Sequence, residues 1–405
     1  MSKSISSRIK NKEELIETIL NKGVEKIFPN EEFLRKKLQS GQKMTIYIGF
    51  DPTGPTLHLG HLIILKKMKD FQDLGHKIII LIGNFTGSIG DPTGKLSVRK
   101  NLNEKEIKDN YKGYKKQISL ILKFSGENKA ELKFNSKWLE RMALKKFLEV
   151  ASLETVQSLL KRDMFESRMN EGKPIYINEF LYPLLQGYDS VALNVDGEVG
   201  GNDQTFNMLV GRDLSLAINK KEKFVLAMKL LVDPEGKKMG KSENNMLKLS
   251  DSANEMYGKI MGWTDDMIVP GFELCTDKSI NDVSEIKSRL NEGENPKILK
   301  MELARDIVSL CYKKSIVDKT EVEFEKIFGR GEVPENIEEI IIEGEESISD
   351  ALIRYNIISS KNEWVRLIKD GAVKNLDKGE KIKDDKEIKE MTLKIGKRRF
   401  VKIVN

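Results

Sequence analysis

"MTIYIGFDPTGPTLHLGHLIILKKMKDFQDLGHKIIILIGNF", residues 44–85, is the stretch that decides the fold. It opens with "MTIYIGF", a β-rich apolar run that ends in turn residues. The following "HLGHLIILKKMKDFQDLGH" is typical of an amphipathic helix closed by Gly75, and "KIIILIGNF" (77–85) is a fully apolar strand of the kind buried in parallel sheets. Strand, loop, helix and strand in this order form a βαβ unit. We therefore expect an α/β fold with a Rossmann-like parallel sheet.

Composition excludes several classes of protein. The chain has 405 residues and 46.2 kDa, enough for two or three domains, with 33 % charged residues and a mean hydropathy of −0.42. No apolar stretch approaches the roughly 20 residues that span a bilayer, and the start lacks the apolar core of a signal peptide, so we expect a cytoplasmic protein. Cys275 and Cys311 lack metal-ligand spacing, which predicts reduced core thiols and no metal site. A net charge of +6 permits a polyanionic partner.

The pattern along the chain predicts four segments. Residues 1–245 would form the nucleotide-binding domain, with a largely helical insertion at about 103–190. Residues 246–330 are helical in pattern, and the acidic "GRGEVPENIEEIIIEGEES" predicts a linker at 331–346. Residues 347–405 would form a small α+β unit, in which Ser360 and Glu363 have capping-box spacing and "MTLKIGKRRFVKI" alternates like a strand.

Two of the three histidines, His58 and His61, lie three residues apart at the start of the predicted helix. Such a pair is more often structural than functional, and it is a poor metal site because no third ligand is near. A helix start favours anions through its free N–H groups and its dipole. Gly60 would let a flat adenine or ribose approach the backbone. A phosphate-binding role therefore fits this pair better than a metal site.

A second motif, "GKKMGKS" (236–242), is one residue short of the P-loop spacing G-x-x-x-x-G-K-[ST]. It is consistent with a basic surface turn, and equally with a mobile loop whose Lys238 and Lys241 meet a polyphosphate. Taken alone, the motif leaves both interpretations open.

A polar stripe follows on an otherwise apolar helix. In "FLYPLLQGYDSVALNVDGEVGGNDQ" (180–204), Tyr182, Gln186 and Asp189 lie at i, i+4 and i+7 and so share one face. A polar stripe on an otherwise apolar helix is costly unless it is wet or paired. A solvent-facing helix is the alternative, but the other faces of this helix are too apolar to fit it well. "GGNDQ" resembles loops where a backbone approaches a ribose. "GNFTGSIGDPTGK" (83–95) is a Gly-rich loop at a strand end, where α/β sheets bind ligands, and its carboxylate is Asp91.

Taken together, these motifs resemble one family. "HLGH" and, some 180 residues later, "KMGKS" resemble the HIGH and KMSKS pair of class I aminoacyl-tRNA synthetases. With "YIGFDPT", "GDPTGK", "YPLLQGYD" and "GGNDQ", the set from about 27 to 245 resembles the bacterial-type tyrosyl-tRNA synthetases, and the C-terminal unit resembles their S-four-type RNA-binding domain. Two residues depart from the motifs, Leu59 and Gly240, and neither change touches the histidines, lysines or serine of the pair.

The resemblance implies a role for each site residue. Those acting on the triphosphate during catalysis would be Thr53, His58, His61, Lys95, Lys238 and Lys241. Those binding ATP, which enters as a substrate with Mg²⁺, would be Gly49, Asp51, His58, Gly60, His61, Gly201, Asp203, Lys238, Lys241 and Ser242. Those binding L-tyrosine would be Tyr47, Asp91, Tyr182, Gln186, Asp189 and Gln204, with Tyr47 and Asp189 on the phenol hydroxyl, Asp91, Tyr182 and Gln186 on the ammonium, and Gln204 near the carboxylate.

The same resemblance implies the partners. The helical region at 246–330 would be the anticodon-region domain, and the C-terminal unit would bind tRNA(Tyr). Its candidate RNA-binding residues are Arg366, Lys369, Lys397, Arg398 and Arg399. A homodimer formed through the helical insertion is implied as well, whereas a membrane or DNA partner is not.

The implied reaction is ATP-dependent formation of tyrosyl-adenylate, followed by transfer of tyrosyl to tRNA. A tryptophanyl enzyme is the nearest alternative, but an indole has less use for Tyr47. A non-catalytic RNA-binding relative would not need both motif histidines and both lysines. A generic nucleotidyltransferase would not explain the appended RNA-binding unit.

Overall fold

A computed structural model describes residues 12–93, 102–160, 162–232, 246–329, 337–344, 346–383, 390–396 and 399–404. The chain divides into two compact units, residues 1–313 and residues 314–405. Each unit has its own β-sheet.

The first unit is built on a six-stranded sheet. Its strands are β1 (Val24–Phe28), β2 (Thr45–Phe50), β3 (Lys77–Ile82), β4 (Glu131–Phe134), β5 (Gly197–Gly201) and β6 (Phe224–Met228). They lie in the order β1-β6-β5-β2-β3-β4, and every pair is parallel except β1 with β6. The βαβ unit and the parallel sheet predicted from 44–85 are thus confirmed.

Helices cover both faces of this sheet. Along β6, Phe224 stacks on Phe71 with ring centroids 5.9 Å apart, whereas the next residue, Val225, packs against Met208 from the opposite side. Alternate side chains of a strand point to opposite faces, so Phe71 and Met208 mark two different helix layers. This explains why β3 and β6 read as continuous apolar runs.

The helices of the first unit connect and cover these strands. They are α1 (Lys12–Asn21), α2 (Glu31–Gln39), α3 (Leu59–Asp73), α4 (Thr86–Ile89), α5 (Glu104–Tyr111), α6 (Tyr114–Ile118), α7 (Ser136–Leu139), α8 (Leu144–Ala151), α9 (Val156–Leu160), α10 (Asp163–Asn170), α11 (Ile177–Leu193), α12 (Thr205–Asn219), α13 (Ala253–Met261), α14 (Ile268–Cys275), α15 (Ile280–Asn291) and α16 (Pro296–Ser309). Short 3₁₀ turns lie at Asn202–Gln204 and Asp265–Met267. The helical pattern expected after residue 246 is confirmed.

One strand lies within the predicted insertion. Residues 103–190 are largely helical, but β4 pairs in parallel with β3 and extends the central sheet. A four-residue strand at a sheet edge carries too little periodicity to stand out from the helical pattern around it.

In its described residues, the second unit holds a five-stranded sheet and three helices. The strands are β7 (Glu338–Ile341), β8 (Val373–Asn375), β9 (Glu380–Lys381), β10 (Met391–Ile395) and β11 (Arg399–Val404), in the order β7-β11-β10-β8-β9. The helices are α17 (Lys314–Phe324), which runs into a π turn at Glu325–Gly329, α18 (Ile348–Arg354) and α19 (Lys361–Lys369). Strand β7, of sequence "EEII", lies inside the interval 331–346 that the sequence predicts as a linker; it pairs in parallel with β11, and its Ile340 is buried. Trp364 is buried in the core of this unit.

Cys275 is buried and Cys311 is partly buried, both as free thiols. Burial raises the pKa of the Cys275 thiol to about 12, so this thiol stays protonated at neutral pH. Among the helices in the described part of the chain, none is long and apolar enough to cross a membrane.

Candidate active site

A cleft opens at the carboxyl ends of β2 and β5. The chain continues from β2 to one side of the sheet through β3 and β4, and returns on the other side through β5 and β6, so this edge is a topological switch point. The cleft has a volume of about 250 Å³. Among the residues lining it are Tyr47, Gly49, Asp51, Thr53, His58, Gly60, His61, Asp91, Tyr182, Gln186, Asp189, Gly201, Asp203 and Gln204.

His58 and His61 form the amino end of α3, and each ring binds the backbone through Nδ1. The Nδ1 of His58 accepts from the Gly60 N–H at 3.1 Å, and the Nδ1 of His61 accepts from the His58 N–H at 3.1 Å. The ring centroids are 4.0 Å apart. A nitrogen that accepts a hydrogen bond carries no proton, so in each neutral ring Nε2 carries it. The pair therefore presents two Nε2–H donors at a helix start.

Glycines keep space for a ligand beside these rings. A Cβ on Gly201 would lie 2.5 Å from Asp203 Oδ1 and 3.1 Å from Leu230, so a larger residue would push on the Asp203 carboxylate. Beside Gly49, by contrast, nothing lies within 4 Å of where a Cβ would stand. Gly49 thus leaves open space in the lining of the cleft, and Gly201 leaves the Asp203 carboxylate in its place.

Asp51 and Tyr182 link the loop after β2 to α11. The hydroxyl of Tyr182 donates to Asp51 Oδ2 at 2.8 Å, and the hydroxyl of Thr86 donates to Asp51 Oδ1 at 2.7 Å. Thr53 lines the cleft two residues further on. The loop that carries Thr53 is thereby fixed at its start.

Tyr47 and Asp189 lie at the closed end of the cleft. Trp138 Nε1 donates to Asp189 Oδ1 at 2.8 Å, and Asn135 Nδ2 donates to Oδ2 at 3.2 Å. Burial raises the pKa of Asp189 well above its usual range, against these two donors, which lower it. Burial likewise raises the pKa of Tyr47, with Glu198 and Asp189 adding to the rise, so Tyr47 remains a hydroxyl at neutral pH. Two buried polar groups that can pair with a hydroxyl thus lie side by side in the lining of the cleft.

Asp91 is held at the side of the cleft. Its Oδ1 accepts from the Thr93 N–H at 2.9 Å and from the Thr93 hydroxyl at 2.6 Å. Its Oδ2 accepts from Gln204 Nε2 at 2.8 Å, and the Gln204 amide is oriented by Asn207. Gln204, expected near a substrate carboxylate, therefore contacts Asp91 in this structure.

Gln186 lines the cleft, and its amide group is held from one side. Its Nε2 donates to Glu198 Oε1 at 2.8 Å, while its Oε1 is buried and makes no hydrogen bond among the described residues. With Asp91 and Tyr182, it completes a set of oxygens that suits an ammonium group. The stripe predicted on α11 does face the cleft with all three of its members.

Lys95, Lys238, Lys241 and Ser242 lie outside the described residues. The described residues on both sides of 233–245 lie near the cleft. Before this interval, Leu230 lines the cleft. After it, the backbones of Leu247 and Leu249 pair with those of Leu59 and Leu57, on either side of His58.

In the second unit, Arg366 and Lys369 are exposed on α19. Arg399 instead donates to the Ile357 carbonyl and to Glu363 Oε1, so its guanidinium is engaged within the unit. Lys397 and Arg398 lie outside the described residues.

Several cleft contacts escape sequence reasoning. Asn135 and Trp138 come from the stretch after β4, and Glu198 and Lys223 from β5 and the residue before β6. No motif marks them. The one available signal is "DGEVGG", where a carboxylate stands within an otherwise apolar strand.

Comparisons with known proteins agree with this geometry. A family model, tRNA synthetases class I (W and Y), matches residues 39–329. A tyrosine–tRNA ligase 2 of Vibrio cholerae is 41 % identical over 388 residues, covering 95 % of this chain and 97 % of that protein. A tyrosine–tRNA ligase 2 of Clostridium acetobutylicum is 40 % identical over 405 residues, covering 98 % of this chain and all of that protein, 100 %.

Solved structures share the fold. A C-terminally truncated mitochondrial tyrosyl-tRNA synthetase of Aspergillus nidulans superposes with a TM-score of 0.66 at 22 % identity, covering 78 % of this chain and 94 % of that one. A tyrosyl-tRNA synthetase of Archaeoglobus fulgidus, complexed with L-tyrosine, gives 0.59 at 21 % identity, covering 77 % and 100 %. The family model and the full-length relatives together show that this chain belongs to the class I tRNA synthetases of the W and Y family.

Proposed function

We propose that the protein is a tyrosine–tRNA ligase, which forms tyrosyl-adenylate from L-tyrosine and ATP and then transfers tyrosyl to the 3′ end of tRNA(Tyr). The observation that carries this proposal is the closed end of the cleft, where Tyr47 and Asp189 can both pair with a phenol hydroxyl. The relatives named as tyrosine–tRNA ligases, about 40 % identical over nearly the whole chain, support the same substrate.

In the first step, a carboxylate oxygen of tyrosine attacks the α-phosphorus of ATP, and the bond from that phosphorus to the bridging oxygen of pyrophosphate breaks. The nucleophile is already ionised, so no protein base is needed. The protein's work is orientation and stabilisation of developing negative charge. The Nε2–H groups of His58 and His61 would donate to the phosphate oxygens, with Thr53 beside them. Lys238 and Lys241 would meet the β- and γ-phosphates of the Mg²⁺–ATP substrate, and Lys95 would assist.

Tyrosine would lie with its ring between β2 and α11. Its hydroxyl would meet Tyr47 and Asp189, and its ammonium would meet the oxygens of Asp91, Tyr182 and Gln186. Gly201 and Asp203 would hold the ribose. The carboxylate, which shares Cα with the ammonium, would then face the α-phosphate.

Charging of tRNA tests the proposal directly. With radiolabelled tyrosine, ATP and total tRNA, we expect acid-precipitable label, and periodate-oxidised tRNA, which lacks the terminal diol, is the control. Absence of label from a protein that does form tyrosyl-adenylate would overturn the second half of the proposal.

Homodimerisation is the second part of the proposed assembly. Exposed apolar side chains concentrate between residues 144 and 177, where Leu144 is 72 % exposed, Val156 63 % and Ile177 77 %. Apolar exposure of this kind marks interaction sites in water. A second copy of the chain is the occupant that the family resemblance implies.

Light scattering after gel filtration tests this dimer. The parent should elute at twice 46.2 kDa, and the Val156→Glu/Ile177→Glu variant should elute as a monomer, because buried charges without partners oppose association. The matched control is Ile280→Glu, at a 42 % exposed apolar side chain outside residues 144–177. A monomeric parent, or a dimeric double variant, would contradict the proposal.

The remaining partner is tRNA, with the helical region after residue 246 near its anticodon part and the C-terminal unit as an S-four-type RNA-binding domain. Exposed Arg366 and Lys369 on α19 support this role. The domain limits proposed are 1–245, 246–330, 331–346 and 347–405. Strand β7, within 331–346, pairs with β11 and so joins the sheet of the last domain. The cytoplasm is the proposed location, since charged tRNA is used there.

A further inference from the structure

A buried ion pair, Lys223 with Glu198, lies beside Tyr47 and Gln186 in the wall of the cleft. The side chains of Lys223 and Glu198 are 0 % and 3 % exposed, and Lys223 Nζ donates to Glu198 Oε2. Removing two charges from water is expensive, and apolar residues of the same volume are often at least as stable. Stability alone is thus a weak reason for the pair, and its other contacts are informative.

At the end of the cleft proposed to hold the substrate ammonium, Glu198 fixes the orientation of the Gln186 amide. Glu198 Oε1 accepts from Gln186 Nε2 at 2.8 Å. A carboxylate can only accept, so Glu198 holds the amide nitrogen of Gln186 and leaves Oε1 as a buried acceptor with no hydrogen bond among the described residues. A neutral or absent partner would allow the amide to turn and present its donor, which repels an ammonium.

At the end proposed to hold the phenol, Lys223 acts through Ser190 on the orientation of the Tyr47 hydroxyl. Lys223 Nζ donates to Ser190 Oγ, and Ser190 Oγ lies 2.9 Å from the Tyr47 hydroxyl but 3.4 Å from Glu198 Oε2. An ammonium has donors only, so Ser190 accepts from Lys223. The Ser190 hydroxyl can donate to Glu198 Oε2 at 3.4 Å or to Tyr47 at 2.9 Å, and we infer from the shorter distance that it donates to Tyr47. Tyr47 is then left to donate its proton toward the cleft.

The backbone makes room for this chain of contacts. A Cβ on Gly211 of α12 would lie 2.8 Å from Lys223 Nζ and 2.8 Å from Ser190 Oγ. In addition, Lys223 Nζ stands 5.5 Å from the centroid of the Tyr47 ring. The ammonium therefore reaches its place only because α12 carries a glycine there.

We propose that Glu198 and Lys223 are positioning residues that set the hydrogen-bond direction at both ends of the bound amino acid: acceptor outward at Gln186, donor outward at Tyr47. This inference rests on the proposed function, because it assigns those two ends to the ammonium and the hydroxyl of tyrosine. On this proposal, the Glu198–Lys223 pair supports both the affinity for tyrosine and the discrimination against phenylalanine.

The test uses the full-length Glu198→Gln/Lys223→Met variant, in which both charges are removed together so that neither is left unpaired. Amino-acid-dependent ATP–pyrophosphate exchange is measured with tyrosine and with phenylalanine. We expect the KM for tyrosine to rise about tenfold and the preference for tyrosine over phenylalanine to fall about tenfold, with the KM for ATP within about twofold of the parent. The control is Arg168→Met/Glu179→Gln, a second buried pair with side chains 1 % and 7 % exposed, which should leave the preference unchanged.

A folded Glu198→Gln/Lys223→Met variant with the parent's KM and preference would overturn the inference. An equal rise in the KM for ATP and in the KM for tyrosine would also overturn it. If that variant does not fold, Ser190→Ala removes only the hydroxyl between Lys223 and Tyr47, and an unchanged preference for tyrosine would overturn the inference equally. A parent that shows no exchange with tyrosine would instead overturn the proposed function itself.

Discussion

At the residue scale, the imidazoles of His58 and His61 each use one hydrogen bond both to cap α3 and to orient a donor. Each Nδ1 is used to close the first turn of α3, which fixes the ring and commits the proton to Nε2. The donors are therefore oriented before any nucleotide arrives, and little reorganisation is needed as charge develops.

His58 allows the two roles to be separated. Asparagine is an excellent N-cap, so His58→Asn should keep the stability of the parent while removing the Nε2 donor. We expect the rate of adenylate formation to fall about 10²-fold with the KM for tyrosine unchanged. His58→Ala should show the same fall in the rate of adenylate formation as His58→Asn. In addition, its unfolding free energy should be lower by about 1 kcal/mol. Equal rates for His58→Asn and the parent, in pre-steady-state kinetics, would refute the role of Nε2.

Trp138 supports the cleft from behind Asp189. In Trp138→Phe the 2.8 Å bond to Asp189 Oδ1 is lost, and we expect the KM for tyrosine to rise about fivefold. Trp263→Phe is the matched control, since the Nε1 of Trp263 is buried without a hydrogen-bond partner in the described part of the chain. A KM that moves in both variants, or in neither, would contradict the assignment.

At the scale of elements, the site is made by strand ends and helix starts meeting at one edge. Hydrophobic period and turn chemistry predicted β2, α3, β3 and the polar face of α11 from short stretches, because these signals are local. The donors to Asp189 were missed, since Asn135 and Trp138 reach it only through the pairing of β4 with β3. The pairing of β7 with β11 is also non-local, joining strands some sixty residues apart.

His76 joins two of these elements. Its Nδ1 accepts from the Met44 N–H at 3.2 Å, just before β2, and its Nε2 is buried with no partner in the described part of the chain. Burial lowers the pKa of His76 from 6.5 to about 4. Below pH 6.5 the unfolded chain takes up a proton that the folded chain refuses, so stability falls as the pH falls toward 4.

The expected loss from this histidine between pH 7.5 and pH 5 is about 2 kcal/mol of unfolding free energy. Urea unfolding at the two pH values measures it. In His76→Asn, which keeps an acceptor for Met44, the drop should be smaller than in the parent by about that amount. Identical drops in the two proteins would show that His76 titrates normally.

At the scale of the whole molecule, chemistry and RNA recognition are assigned to different units. The cleft lies entirely in residues 1–313, whereas Arg366 and Lys369 lie in residues 314–405. The relatives align over almost the whole chain, second unit included. Adenylate formation and tRNA affinity should therefore respond to different substitutions.

Charge reversal at Arg366→Glu/Lys369→Glu should raise the KM for tRNA about tenfold and flatten its dependence on salt, because phosphate contacts release counterions. Tyrosine-dependent pyrophosphate exchange should stay at the parent's rate. Lys105→Glu/Lys108→Glu, an exposed pair at the same spacing on α5, is the matched control. A KM for tRNA that moves equally in both variants would mean that net charge, and not this face, governs binding.

The most direct measurement is ATP–pyrophosphate exchange without tRNA, run in parallel with tyrosine, phenylalanine and tryptophan. We predict exchange with tyrosine, and exchange with phenylalanine that is slower by orders of magnitude, because phenylalanine has no hydroxyl to form the hydrogen bonds that tyrosine makes with Tyr47 and Asp189. Preferential exchange with tryptophan would keep the fold and overturn the substrate. Absence of exchange with any of the three, from a folded protein, would contradict the account as a whole.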